Sequence, residues 1–168
     1  FKGIVIPLCV SGTCTLREAA IVGSALAKVS IPMLHSAACI YKLSTLPYSG
    51  ACSLFMRVLL DKKYYLPYKV IDTLADHYQK MKDVTTDLPV LWHQSLLVFC
   101  QIYKHDLLQR QKDALIDLTK IHYHKLISPE IRRELKDSIK SRDNPIDNDH
   151  SMDWQPVITQ GKVVSFDP

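Results

Sequence analysis

Apolar residues recur along this chain at intervals of three and four, the spacing of one helical face. Leu16, Ala19, Ala20, Gly23, Leu26 and Ala27 form the first clear stripe. It opens on Thr15-Leu16-Arg17-Glu18, a capping box in which hydroxyl and carboxylate satisfy amides that a helix leaves unpaired. The small residues in this stripe would let a neighbouring helix approach closely. Pro32 predicts the first position of a second helix, running to about Ser44. Ser49 suits the cap of a third, with Leu54, Phe55, Val58 and Leu59 on one face. Pro67 starts a fourth, carrying Val70, Ile71, Leu74, Tyr78 and Met81. Pro89, after Asp87-Leu88, starts a fifth with Trp92, Leu96, Phe99, Cys100 and Tyr103. A sixth spans about His105 to Ile121. Ser128-Pro129-Glu130 reads as a cap, a first-position proline and an acid at the dipole's positive end. It opens a seventh helix striped with Ile131, Leu135 and Ile139.

Strand signals are sparse: Ile4-Val5-Ile6 and Lys162-Val163-Val164 are short runs near the ends. The expected fold is therefore all-α, an irregular HEAT-like stack of about seven helices in antiparallel hairpins. Phe1 stands within an apolar run that reads as an ongoing helix, and with no initiating Met the chain reads as a fragment. The helical pattern defines a domain over residues 1–140. It fails from Ser141 onward, where Asp147, Asp149 and Asp153 follow without periodic apolar partners. Residues 141–168 are expected to form a flexible acidic tail, with Trp154 and Phe166 as its large anchors.

Composition narrows the function classes. Of 168 residues, 47% are apolar and 23% charged, which suits a globular core rather than disorder or a membrane span. The five cysteines, Cys9, Cys14, Cys39, Cys52 and Cys100, form no CxxC. They read as reduced, packed thiols of a reducing compartment. Net charge is +4, unevenly spread: residues 1–60 hold five basic residues against Glu18 alone, while residues 127–168 hold six basic and eight acidic ones. A basic body with an acidic tail fits a partner of RNA or acidic proteins.

No phosphate loop, nucleophile elbow, zinc-protease motif or dinucleotide fingerprint occurs. His122-x-His124 is the nearest approach to a metal pair and has no third ligand at a recognisable spacing. His35 and His93 fall in apolar helical stretches and read as hydrogen-bonded core or interface residues. The expectation is a non-enzymatic binding domain with no cofactor, metal or small-molecule substrate. Two basic clusters remain. Lys62-Lys63-Tyr64 closes the third helix, where lysines answer the helix dipole or meet phosphates beside a stacking tyrosine. Arg132, Arg133 and Lys136 lie on the last helix among Glu130, Glu134 and Asp137, a solvated salt-bridged face or a second contact for a nucleic acid.

Six segments in order resemble the bystin family. They are Cys14-Thr15-Leu16-Arg17-Glu18-Ala19-Ala20, Ser30-Ile31-Pro32-Met33-Leu34-His35-Ser36 and Leu59-Leu60-Asp61-Lys62-Lys63-Tyr64. Next come Leu88-Pro89-Val90-Leu91-Trp92-His93, Tyr103-Lys104-His105-Asp106-Leu107 and Ser128-Pro129-Glu130-Ile131-Arg132-Arg133-Glu134-Leu135. The resemblance covers about residues 1–140, in the family's C-terminal half. It implies a scaffold of small ribosomal subunit assembly, acting in 18S rRNA maturation and pre-40S export. The implied partners are pre-ribosomal RNA of the 18S region, ribosomal proteins and assembly factors. The implied location is nucleus and nucleolus, with passage to the cytoplasm on pre-40S particles. A link of some members to cell-adhesion complexes leaves a protein–protein adaptor as the alternative.

Overall fold

The computed structural model describes residues 3–138, 140–143, 158–159 and 162–163. Eight α-helices make up the described body: α1 (Val5–Ser11), α2 (Leu16–Lys28), α3 (Met33–Thr45), α4 (Gly50–Asp61), α5 (Tyr68–Gln79), α6 (Val90–Tyr103), α7 (Gln109–Ile121) and α8 (Ile127–Asp137). The chain is all-α in this body. A 3-10 turn, Lys80–Asp83, extends α5. Far down the chain, β1 (Ile158–Thr159) and β2 (Lys162–Val163) pair antiparallel, with Ile158 opposite Val163. Most of the acidic tail expected over 141–168, and Ile139 of the last stripe, lie outside the described residues.

Local chemistry fixes the helix ends. Glu18 N donates to the Thr15 hydroxyl at 3.2 Å, and Thr15 N donates to the Glu18 carboxylate at 2.9 Å, closing the capping box. Ser49 accepts from Cys52 N at 3.1 Å. Pro32, Pro67 and Pro89 each sit one residue outside the helix, with ψ of 139, 146 and 157°, so Pro32 is a cap rather than the first helical residue. A fixed φ with extended ψ is an easy state for proline, and the Pro32 carbonyl accepts the first helical bond, from Ser36 N. Gly12 ends α1 at φ 66°, a conformation cheap for glycine. The sixth helix begins at Gln109, four residues later than expected, because Lys104–Asp106 turn and the buried Leu107 docks inward. The last helix begins at Ile127. Its cap position is Leu126; in the turn before it His124 Nδ1 accepts from Leu126 N and Ile127 N at 3.2 Å, while Ser128 sits in the first turn rather than at the cap and accepts from His124 N at 2.8 Å.

Packing sorts the helices into two layers. Helices α2, α4, α6 and α8 lie side by side in one, and α1, α3, α5 and α7 in the other. Close contacts run mainly between helices two apart in sequence, with α3–α4 and α7–α8 as the consecutive pairs that also meet closely. Between the layers, Phe55, Leu59, Leu60, Ile71, Leu74, Leu96, Phe99 and Leu115 are buried. An aromatic row crosses this core: Tyr78 stacks on Phe99 with centroids 5.5 Å apart and meets Trp92 edge-on at 6.1 Å. The buried Tyr78 hydroxyl donates to Ser95, which donates to the Trp92 carbonyl. All five cysteines are free thiols, and no described helix is long and apolar enough to cross a membrane.

Alternating layers place the connections on two opposite edges. Residues 29–32, 62–67, 104–108 and 138–143 share one, where chain leaves the α2 layer. Residues 12–15, 46–49, 80–89 and 122–126 share the other.

Candidate nucleic-acid interface

The first edge is stitched together by side chains that reach backbone carbonyls. Lys62 Nζ donates to Val29 O at 2.7 Å and Ala27 O at 3.3 Å, answering the unpaired carbonyls at the end of α2. The Tyr64 hydroxyl donates to Ile31 O at 2.5 Å. The Tyr103 hydroxyl donates to Tyr64 O at 2.6 Å. Arg142 N donates to Leu107 O at 3.1 Å, and Arg142 also pairs with Asp72 at 2.6 Å while lying 4.7 Å over the Tyr68 ring. Lys112, wholly buried, donates to Ser138 O, the Ser138 hydroxyl and Lys140 O at 3.3, 2.9 and 2.6 Å. Burial, then the neighbouring Lys104, pushes its pKa down.

This geometry sorts the residues singled out from sequence. Lys62 and Tyr64 are half-buried and hold the neighbouring loop, so both have a structural task. Lys63 is exposed and lies at φ 56°. Arg132 Nε donates to the Thr119 hydroxyl at 2.9 Å, its Nη2 to Thr119 O at 3.3 Å, and the guanidinium lies 5.7 Å from the Tyr123 ring. It therefore joins α8 to the end of α7. Arg133 is exposed and pairs with Glu130 at 2.6 Å. Lys136 is exposed on the wall of an open groove of about 580 Å³ between α7 and α8, with Asp113, Asp117 and Lys120. The α4 cluster lies on the first edge; Arg132 and Arg133 lie on the flank of the last helix, and Lys136, in its last turn, lines the groove with Gln109 and Ser138 beside that edge.

The sequence reading did not single out Lys28, Lys69 or Arg110, which are exposed beside the loops of the first edge. Single basic residues 41 positions apart leave no local motif; the recurring signal is a cation near each turn from the α2 layer to the other. On the second edge His93 and His122 meet the Trp92 ring edge-on, and the His124 ring lies 5.2 Å from that of His93. His122 Nε2 shares a hydrogen bond with Met81 O at 2.8 Å. His93 is buried, and burial, then His124 and His122, push its pKa down to about 4. His35, read as packed, is exposed on α3. Among the described residues, no three His, Cys, Asp or Glu side chains are grouped to hold a metal.

Together the folded body and its edges define a two-layer helical protein whose loops are locked into a continuous rim. The chain belongs to the bystin family: the Bystin family model matches residues 1–145. It is similar to Bystin of Homo sapiens, 56% identical over 139 residues, covering 83% of this chain and 32% of that one. Bystin of Drosophila melanogaster is 47% identical over 156 residues, 93% of this chain and 36% of the relative. Bystin of Arabidopsis thaliana is 51% identical over 137 residues, 82% and 31%. The chain thus spans about a third of the length of the curated relatives it matches.

Proposed function

We propose that this chain is a non-catalytic scaffold in assembly of the small ribosomal subunit, binding pre-18S rRNA together with ribosomal or assembly-factor proteins. Its place of action would be the nucleus and nucleolus, then cytoplasmic pre-40S particles. The carrying observation is the family match across residues 1–145, joined to the function that bystin resemblance implies. Lys63, Arg133 and Lys136 are the exposed members of the residues first singled out, and Lys62, Tyr64 and Arg132 position the segments that bear them.

A second reading, a protein adaptor outside ribosome assembly, draws on one feature. An open apolar groove of about 360 Å³ lies between α1 and α2, lined by Ile4, Val22, Leu26 and Val29. Purifying the tagged full chain from cells and sequencing its RNA and protein partners separates the two. Enrichment of 18S precursors and small-subunit proteins supports the scaffold; enrichment of adhesion complexes without ribosomal material overturns it.

A further inference from the structure

We infer that the first edge of the stack is the track on which an RNA phosphate backbone lies, contacted by Lys28, Lys63, Lys69 and Arg110. The inference rests on the RNA-binding reading and adds its place on the molecule. Lys28 ends α2, Lys63 follows α4, Lys69 opens α5 and Arg110 opens α7. Hydrogen bonds and an ion pair tie these segments side by side: Lys62 to Val29, Tyr64 to Ile31, Tyr103 to Tyr64, and Arg142 to Leu107 and Asp72. Lys28 and Lys63 lie at the ends of neighbouring helices of one layer, and Lys69 and Arg110 at the starts of neighbouring helices of the other; neighbouring helices pack about 8–10 Å apart, so the cations line both sides of the rim.

Two observations favour an anionic polymer over a role in stability. The first concerns the carboxylates of the edge. Asp61 faces Arg57 at 4.0 Å, Asp72 pairs with Arg142 at 2.6 Å and Asp143 accepts from Gln109 N at 2.9 Å. Glu134 pairs with Lys104 at 2.7 Å and Asp113 accepts from Gln109 Nε2 at 3.0 Å; Asp106 and Asp137 are further acids there, whereas Lys28, Lys63, Lys69 and Arg110 are exposed and make no ion pair with a described residue. The second is position. Lys69 and Arg110 are each the second residue of a helix, where the dipole is positive and a cation is disfavoured. Dipole compensation explains Lys28, and it cannot explain these two. The φ of 56° at Lys63 is the left-handed state common just past a helix end, with its N–H bonded back to Leu60 O at 2.9 Å. Phosphate contacts from separate cations suit backbone binding without sequence preference.

The test measures binding of a 20-nucleotide oligouridylate to the full chain by fluorescence anisotropy across salt concentrations. Wild type is compared with Lys28→Glu/Lys63→Glu/Lys69→Glu/Arg110→Glu and with Lys80→Glu/Lys82→Glu/Lys125→Glu, which reverses exposed lysines of the opposite edge. Circular dichroism confirms that both variants keep their helix content. The track predicts that the first variant loses about 3 from the log–log salt slope, at roughly 0.7 per phosphate contact, and that the second keeps the wild-type slope. Equal losses in both variants, or loss only in the second, overturn the track while leaving RNA binding intact. Absence of wild-type RNA binding overturns the track and the RNA reading together, including the case in which phosphatidylserine vesicles bind instead.

Discussion

His93 links one imidazole to the stability of the whole chain. Its folded-state pKa of about 4 lies below the ordinary value of 6.5 because the ring is buried against two further histidines. Between those values the unfolded chain binds more protons than the folded one. The contribution is therefore complete above pH 6.5 and is lost as pH falls toward 4, by about 3 kcal/mol. His77, whose pKa burial also lowers, adds in the same direction. Urea unfolding from pH 7 to 4.5 should show falling stability, and His93→Gln should flatten that profile; an unchanged slope would remove His93 from the account. Lys112 poses the other residue-scale question, a buried cation held by three oxygens. Lys112→Met keeps the stem and strands the Ser138 and Lys140 carbonyls, at a cost of about 2 kcal/mol. Hydrogen exchange at Arg142 N, which is bonded to Leu107 O, should accelerate with it.

At the scale of elements, the meeting of α2 and α4 turns on Gly23. A Cβ built there lies 2.7 Å from Leu54 Cδ2 and 3.5 Å from Val58 Cγ2. The nearer atom ends a flexible side chain, and alanine gains about 1 kcal/mol of helix propensity over glycine. Gly23→Ala should thus be close to neutral. Gly23→Val has no such relief, since its branches meet both Leu54 and Val58. It should cost about 2–3 kcal/mol through overpacking and separation of the two helices. Thermal unfolding of both variants checks the contrast; equal loss in the two would place the α2–α4 contact elsewhere. The capping box makes a smaller, separable contribution: Thr15→Ala removes the bond from Glu18 N and should cost about 1 kcal/mol.

For the molecule as a whole, burial is concentrated in the middle of the two layers. Helices α4 and α6 carry Phe55, Leu59, Leu60, Trp92, Leu96 and Phe99 inside, whereas α1 buries Val5 and Cys9. Native-state hydrogen exchange should therefore be slowest in α4 and α6 and fastest in α1 among the helices. The apolar groove lies at this same α1–α2 end and meets the basic rim at residues 29–32. A helical stack can thus offer two chemically different surfaces without any change in its core.

What the sequence alone determined is whatever depends on spacing within about one helix. The all-α class, the Thr15 and Ser49 caps, and the inward stripes of α4, α5 and α6 follow from periodicity and turn chemistry, which act over a few residues. Family membership was legible too, because ordered segments survive as short strings. Tertiary structure decided the rest. It gave Lys62, Tyr64 and Arg132 backbone carbonyls to hold, set His124 to close the turn before α8, and buried Lys112. It also brought Lys28, Lys63, Lys69 and Arg110, dispersed over 82 positions, onto one rim. The physical reason is that charge and hydrogen bonding act through space between loops, and loop adjacency is set by layer packing rather than by sequence distance.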